Sequence, residues 1–242
     1  MGRYDRQLLV FGDEGQERIW KAKVGIVGCG GLGTNVSTAL GVAGVGHFVI
    51  MDSDVPEDTN LNRQYVFCRH VDSGEEPRPK AELLAEWILG LNPKADVEYH
   101  VSRFGEDTWS VFDDCDILVD CLDSIEGRMV LNRYAVEKGK PLVHGGVHAF
   151  IGEITVIIPG RTPCLKCMMG DVPEPERPLP SIGSVVTTIG SMEATEVLKL
   201  ILDRSSRTEG TFLSIDFEDW RVTPVHFKKD PGCPVCRRFG LS

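Results

Sequence analysis

Lys23-Val-Gly-Ile-Val-Gly28-Cys-Gly30-Gly31-Leu-Gly33 decides the fold, because an apolar run leads here directly into a glycine-rich turn. Residues 23–28 have the continuous apolar character of a buried parallel strand, and a helix is predicted from Leu32 to Ala43. A G-x-G-x-x-G turn between strand and helix lets the backbone approach a phosphate, whose charge the helix N-terminus stabilises. The stretch therefore predicts a nucleotide-binding turn, with a purely structural glycine turn as the alternative.

Strands and helices alternate on the C-terminal side of this stretch. The predicted elements are a strand at His47–Met51, a helix at Lys80–Leu91, a strand at Asp116–Asp120 and a helix at Ile125–Lys138. Such alternation is typical of an α/β fold with parallel strands and crossover helices. Residues 1–150 are therefore expected to form a Rossmann-like, mostly parallel sheet with helices on both faces.

The pattern changes in residues 151–242. Strands are predicted at 153–158, 211–215 and 221–227, with a long helix at 185–202. The closely spaced strands indicate an antiparallel extension of the sheet, and we expect one domain over residues 1–242. The proline-rich segment Asp171–Pro180 is expected to be extended, either as a solvated linker or as a loop that faces the substrate.

Composition excludes several functional classes. The chain has 242 residues, of which 42% are apolar, enough to bury one sizeable core. Its formal net charge of -10 argues against nucleic acid or an anionic membrane as a partner. Because the N-terminus is charged and no apolar run reaches about 18 residues, we expect a soluble cytoplasmic protein.

Charged residues are predicted around the glycine turn. Asp52 ends the next strand, where a carboxylate can accept a hydrogen bond from a ribose hydroxyl. The turn alone would favour NAD, but Arg63 and Lys80 suit a triphosphate whose leaving pyrophosphate gains charge in the transition state. Asp123 follows another strand and could hold Mg²⁺ between phosphate oxygens. These residues predict ATP and Mg²⁺, and a nicotinamide-dependent oxidoreductase is the alternative.

Four of the eight cysteines form two Cys-x-x-Cys pairs, Cys164–Cys167 and Cys233–Cys236. Four thiolates complete the tetrahedral shell of a structural Zn²⁺ and leave no position for water or substrate. A disulfide or thiol-exchange pair is the alternative. A zinc site would tether the C-terminal tail to the proline-rich crossover segment.

Several ordered motifs resemble the family of MoeB, ThiF, HesA and the adenylation domains of ubiquitin-activating enzymes. They span nearly the whole chain and comprise Arg3–Gln7, Gly28–Gly33, Asp52 with Asp54, Asn60–Gln64, Asp120–Asp123 and both cysteine pairs. The spacing departs from the family in one place. About four extra residues, within Ser73–Pro79, precede Lys80.

The resemblance implies a role for each matching residue. Asp123 would bind Mg²⁺, and Arg6 would reach into the ATP site of the partner subunit in a homodimer. The catalytic set would be Arg6, Arg63, Lys80 and Asp123. The nucleotide-binding set would be Gly28, Gly30, Gly31, Gly33, Asp52, Asp54, Asn60, Arg63, Gln64, Lys80 and Asp123.

The resemblance also implies the reaction. The C-terminal glycine carboxylate of a small ubiquitin-like sulfur carrier ending in Gly-Gly would attack the α-phosphorus of ATP and release pyrophosphate. A carboxylate with a pKa near about 3.5 is already ionised at pH 7, so no general base is needed. Adenylation of a small-molecule or peptide carboxylate, and an idle dimeric scaffold, are the alternatives.

Some members of the family carry a cysteine in the crossover segment, on which the activated carrier forms a covalent linkage. Residues Met168–Ser184 contain no cysteine, so the chemistry is expected to stop at the acyl-adenylate unless Cys68 substitutes. Cys29 is expected beneath the phosphates. His144 and His148 are interpreted as packing or supporting groups.

Overall fold

The structure is a computed structural model, and it describes residues 2–73 and 76–237. The strands are β1 (Lys23–Val27), β2 (His47–Met51), β3 (Asp96–His100), β4 (Ile117–Asp120), β5 (Leu142–His148), β6 (Ile151–Ile157), β7 (Thr211–Asp216) and β8 (Arg221–His226). The helices are α1 (Asp5–Lys21), α2 (Gly31–Ala43), α3 (Cys68–Val71), α4 (Lys80–Leu91), α5 (Ile125–Lys138), α6 (Leu165–Met169) and α7 (Gly183–Ile201).

All eight strands belong to one sheet, in the order β3-β2-β1-β4-β5-β6-β7-β8. Strands β1 to β5 are parallel, whereas β5 to β8 pair antiparallel. The predicted Rossmann-like half with an antiparallel extension is therefore confirmed. Strand β2 lies on one side of β1 and β4 lies on the other, so the direction in which successive strands are added to the sheet reverses at β1. In open α/β sheets, ligands bind at the carboxyl ends of the strands at such a point.

Helices cover both faces of the sheet, as predicted. On one face, α2 packs against both α4 and α7, around a core that includes Leu40, Leu84 and Ile189. Helix α5 covers the other face with Leu131 and Tyr134. None of the helices in the described part of the chain combines the length and apolar character that a membrane crossing needs.

The two edges of the sheet differ from its centre. Strand β3 forms one edge and is mostly exposed, while β8 forms the other and all six of its residues are exposed. Five elements, α1, α3, α6, β3 and β5, were not predicted from the sequence. The remaining helices and strands of the prediction lie within about two residues of their observed bounds, because their apolar periodicity was clear.

Candidate active site

The glycine turn closes tightly against the end of β4. Gly28 has φ +99°, and a Cβ there would lie 2.5 Å from the carbonyl oxygen of Cys121. A Cβ on Gly33 would lie 2.0 Å from the carbonyl oxygen of Gly28. No side chain fits at either position, so these two glycines allow the turn and the strand to meet.

Gly30 has a different environment. A Cβ on Gly30 would meet no described atom nearer than the Gln64 Nε2, at 3.7 Å. The turn is therefore open above Gly30, directly before α2 begins at Gly31. The first backbone N–H groups of a helix have no partner within the helix and attract anions. This opening fits a phosphate group held by the backbone.

Asp52 connects the end of β2 to the glycine turn. Its Oδ2 accepts a hydrogen bond of 2.7 Å from the Cys29 N–H, and its Oδ1 accepts one of 2.8 Å from the Asp54 N–H. Burial raises the pKa of Asp52, and these two hydrogen bonds oppose the rise because they favour the charged form. The backbone thus orients the carboxylate at the wall of the turn.

Lys80 begins α4 beside this wall. Its side chain is 8% exposed, and Nζ lies 3.4 Å from Asp54 Oδ2. Its backbone N–H donates to the Asp54 carbonyl at 2.8 Å. These contacts with Asp54 keep Lys80 in the site, although extra residues precede it in the sequence. Two of the extra residues, Gly74 and Glu75, lie outside the described residues.

Arg63 lies on the other side of the turn. A Cβ on Gly31 would lie 3.4 Å from Arg63 Cγ, so the stem of the arginine runs along the start of α2. Its Nη1 donates to the Thr59 carbonyl at 3.1 Å and to Asn62 Oδ1 at 2.8 Å. The structure thus brings both predicted cations to the glycine turn, where their role in phosphate binding stays a prediction.

Asn60 and Gln64 differ in whether the side-chain oxygen is available to accept a hydrogen bond from a ligand. Asn60 Oδ1 accepts the Glu57 N–H at 3.1 Å, in a capping box of the 3-10 turn Asp58–Asn60. Gln64 is buried, and its Oε1 has no hydrogen-bond partner among the described residues. Gln64 can therefore accept a bond from a ligand, whereas the Asn60 oxygen is already used.

Asp123 follows β4, whose end contacts the glycine turn. It lies in the crevice at the carboxyl ends of the parallel strands. Its Oδ2 accepts a hydrogen bond of 2.6 Å from Arg177 Nη1, and its carbonyl accepts one of 3.3 Å from Nη2. The Arg177 guanidinium lowers the pKa of Asp123, so the carboxylate is charged at neutral pH. A charged carboxylate is a ligand of the kind that Mg²⁺ prefers. Because Arg177 occupies Oδ2 here, a metal ion would bind through Oδ1 or displace the arginine.

Arg177 belongs to the proline-rich segment 171–180, which crosses the site. Glu174 Oε1 accepts the Glu126 N–H at the start of α5 at 2.6 Å. The Pro180 carbonyl accepts the Ala149 N–H at 2.9 Å. These contacts favour a loop that faces the site over a solvated linker. Arg177 could not be recognised from the sequence, because arginine in a polar segment is usually a surface charge.

Arg6 does not join the turn of its own chain. The neighbouring Gln7 donates to the Ala43 carbonyl at 2.7 Å, which places Arg6 near the C-terminal end of α2. The glycine turn is at the other end of this helix, about 18 Å away at 1.5 Å per residue. Any contact of Arg6 with a nucleotide would therefore need a second copy of the chain.

The four paired cysteines form one cluster. Their Sγ atoms all lie within 4.8 Å of one another, and three pairs are 3.4 to 3.9 Å apart. Tetrahedral zinc with Zn–S bonds of about 2.3 Å requires sulfur separations of about 3.8 Å. A disulfide would need about 2.05 Å. The cluster therefore fits Zn²⁺, and its place between α6 and the C-terminal tail agrees with the predicted tether.

The other thiols near the site differ in access. Cys29 and Cys121 are buried, and burial raises the pKa of both well above the usual value, so neither is a nucleophile in this state. Cys68 is half-buried and lines a surface cavity of about 450 Å³. Of the two histidines near Gly145 and Gly146, His144 is buried while His148 is exposed. The packing interpretation therefore holds only for His144.

Sequence reasoning missed a buried carboxyl group on α7. Glu193 is fully buried, and neither carboxylate oxygen has a hydrogen-bond partner among the described residues. A Cβ on Gly145 would lie 2.5 Å from Glu193 Cδ, so this strand position has to be glycine. Burial, and then the charge of Asp120, raise the pKa of Glu193 well above its usual value. Its spacing of four residues from Ile189 would have placed it on the buried face of α7.

Glu193→Gln is expected to be more stable than the wild type at neutral pH. Above about pH 4.3 the unfolded wild-type chain loses this proton while the folded chain keeps it, which costs about 1.4 kcal/mol of stability per pH unit up to the folded pKa. Glutamine does not titrate. Urea unfolding of both proteins at pH 5.5 and 7.5 should show an advantage of the variant that grows with pH, and a constant difference would contradict a neutral buried acid.

Comparisons with known proteins agree with this geometry. A model of the ThiF family matches residues 4–235. The SAMP-activating enzyme E1 of Haloferax volcanii is 35% identical over 251 residues, which cover 100% of this chain and 91% of that protein. The sulfur carrier protein adenylyltransferase of Thermus thermophilus is 34% identical over 250 residues, which cover 98% and 90%.

A solved structure shows the same fold. The crystal structure of MccB from E. coli with ATP aligns with a TM-score of 0.85 and 24% identity, over 98% of this chain and 75% of that one. At this identity the likeness shows the fold alone. The alignment confirms that this arrangement of sheet and helices occurs in a solved structure.

Proposed function

The chain belongs to the ThiF family, and from this premise we propose that it transfers AMP from ATP to the C-terminal glycine carboxylate of a small ubiquitin-like sulfur carrier. Two relatives covered to about nine tenths of their length are named for carrier activation or adenylation. The observation that carries the proposal is the open backbone at Gly30, with Arg63 and Lys80 on either side and Asp123 across the crevice.

The site supports this reaction by charge and orientation. A carboxylate oxygen of the carrier forms a bond to the α-phosphorus, the bond from that phosphorus to the pyrophosphate oxygen breaks, and pyrophosphate leaves with the electron pair. Arg63 and Lys80 would stabilise the leaving group. Asp123 would hold Mg²⁺, which when bound neutralises phosphate charge. The attacking carboxylate is already ionised, so no side chain has to remove a proton.

A homodimer is part of the proposal. Arg6 lies about one helix length from its own glycine turn, so it could act only in the site of a second copy. Leu9 and Val10 follow it on α1 and are 82% and 63% exposed. Adjacent exposed apolar side chains are typical of a contact surface. We propose that α1 carries Arg6 across this contact into the partner's ATP site.

The carrier would approach the open end of strands β6 to β8. Phe150, Ile151, Trp220 and Val222 are exposed there. The Ala149 N–H beside them donates to Pro180 of the crossover segment at 2.9 Å. An apolar surface of this kind suits a folded protein partner better than a small metabolite. It therefore favours a carrier protein over the alternative of a small-molecule carboxylate. We further propose structural Zn²⁺ at the cysteine cluster and a cytoplasmic location.

The first test is ATP–pyrophosphate exchange with each small protein of the source organism that ends in Gly-Gly. One such carrier is expected to support exchange, and the same carrier with an amidated C-terminus is the matched control. Intact-mass spectrometry without reductant should show carrier-AMP and no covalent link to this chain, because Met168–Ser184 has no thiol.

Two outcomes would contradict the proposal. Exchange that proceeds equally with the amidated carrier would exclude the C-terminal carboxylate as the nucleophile. A stable conjugate between chain and carrier that disappears in Cys68→Ala would show that Cys68 continues the reaction beyond the adenylate. The hydride-transfer alternative predicts that NAD, rather than ATP, protects the fold against heat.

A further inference from the structure

A row of polar side chains crosses the face of the sheet that α5 covers. His144 on β5 is fully buried, and its Nδ1 lies 2.7 Å from Asp120 Oδ2 on β4. Its Nε2 lies 3.7 Å from Glu153 Oε1 on β6, which is partly exposed. A Cβ on Gly146 would lie 2.5 Å from Glu153 Oε1, so this glycine makes room for the third member of the row.

The row continues toward the crevice through Asp120. Its second oxygen, Oδ1, accepts the Leu122 N–H at 3.2 Å. On the other side of the same residue, Arg128 of α5 donates to the Leu122 carbonyl from Nε at 3.0 Å and from Nη2 at 2.9 Å. Leu122 is therefore held at both its N–H and its carbonyl. The next residue is Asp123.

The imidazole of His144 lies between two acidic side chains, Asp120 and Glu153, which favour its protonated form. Burial alone would lower the pKa of His144, but its contacts with Asp120 and Glu153 outweigh burial and raise it. A protonated imidazole donates from both nitrogens, whereas a neutral one donates from a single nitrogen. The Arg128 guanidinium opposes this protonation, and the ring of Phe212 closes the pocket at 5.7 Å between centroids. Only the contact of Nδ1 with Asp120 is a formed hydrogen bond, since Nε2 has no hydrogen-bond partner among the described residues and Glu153 Oε1 is 3.7 Å away.

We propose that His144 is a positioning residue, which acts through Asp120 to fix the backbone at Leu122 and so holds the Asp123 carboxylate ready for the divalent cation of the nucleotide. The inference rests on the proposed function, because it assigns a metal to Asp123. Residues that support a metal ligand from behind alter metal affinity by about 10- to 100-fold when they are changed.

Two variants separate the two contacts of His144. In His144→Asn, the amide nitrogen is the same number of bonds from the backbone as Nδ1, so the donor to Asp120 remains. In His144→Gln, the amide nitrogen matches Nε2 instead, so the donor to Asp120 is lost. The positioning role predicts that Asn binds the cation within about threefold of the wild type and that Gln weakens binding about tenfold.

Cation binding is measured without turnover, by the electron paramagnetic resonance signal of Mn²⁺ titrated in the presence of a non-hydrolysable ATP analogue. The Mg²⁺ dependence of pyrophosphate exchange should shift in the same order. Circular dichroism and urea unfolding establish that each variant is folded. Equal weakening in His144→Asn and His144→Gln would overturn the inference, and so would wild-type affinity in both.

A further variant covers the case in which a core substitution fails to fold. Arg128→Gln changes a half-buried helix residue and removes the hold on the Leu122 carbonyl, so it is expected to weaken Mn²⁺ binding as well. Unchanged Mn²⁺ affinity in folded Arg128→Gln would count against the positioning of Leu122. If the wild type binds Mn²⁺ with the analogue but supports no exchange, the proposed reaction fails while the positioning role is still tested.

Discussion

Replacing Asp123 with asparagine is expected to lower ATP–pyrophosphate exchange by about 10²-fold or more, on the scale of one lost preorganised electrostatic contact. Asparagine keeps the size of the side chain but not its negative charge, so it is expected to hold a divalent cation against the triphosphate much more weakly. Arg63→Ala removes a cation from the opposite wall and is expected to cause a similar loss. Exchange is measured at saturating carrier and ATP over a range of Mg²⁺ concentrations.

Arg177→Gln is the matched control for Asp123→Asn. Both changes break the ion pair of 2.6 Å between these residues, but only Asp123→Asn removes the carboxylate. If Asp123 acts through the metal, Arg177→Gln should retain most of the exchange activity. Losses of equal size in the two variants would show instead that Asp123 serves to hold the crossover segment. Near-normal exchange in folded Asp123→Asn would exclude the assignment altogether.

Cys233→Ser is expected to release the metal and loosen the C-terminal tail. The wild type should carry one tightly bound zinc per chain, since the four Sγ atoms lie within 4.8 Å of one another and three pairs are near the separation that tetrahedral zinc requires. Structural zinc contributes folding free energy directly. A loss of about 3 kcal/mol would lower the melting temperature by about 6–12 °C for a chain of this size.

The zinc prediction has an internal control in Cys68→Ser. Cys68 is half-buried and lies outside the cluster, so its replacement should leave the zinc content and the melting temperature nearly unchanged. Metal content is determined by elemental mass spectrometry after a chelator wash, and tail mobility by limited proteolysis near residue 233. Wild-type protein without zinc after the wash, yet with an unaltered melting temperature, would exclude a structural metal.

Much of the parallel half could be predicted because its elements have strong apolar patterns. Of the five missed elements, α3 and α6 have only four and five residues, and the other three lack a clear pattern. Helix α1 is kinked at Gly12, where φ is +68°, and it exposes Leu9 and Val10, so its apolar pattern is hard to recognise in the sequence. Strand β3 is a mostly polar edge strand, which needs no buried side chains. Strand β5 contains glycine and histidine at positions that pack against carboxyl groups of other elements.

The candidate site divides in the same way. Residues that lie next to strand ends, such as Asp52 and Asp123, could be placed from local sequence because the topology fixes where strands end. Arg177 could not, since it reaches the site from a distant part of the chain, whereas the helical spacing of Glu193 indicated a buried side chain but not its neighbours. His144 is an intermediate case. Its position was noticed in the sequence, but its partners Asp120 and Glu153 come from two other strands, and only the sheet order brings them together.

The exposed edge strand β8 contains a proline, which disfavours pairing of β8 with a strand of another molecule. An unpaired edge can accept a strand from another molecule and so extend the sheet without limit. Pro224 lies within β8, opposite Leu213 of β7. Proline has no N–H, and on edge strands its nitrogen usually faces the open side, where a neighbouring molecule would need a donor. Addition of a foreign strand is therefore disfavoured at Pro224, and contacts through exposed side chains such as Trp220 and Val222 are favoured instead.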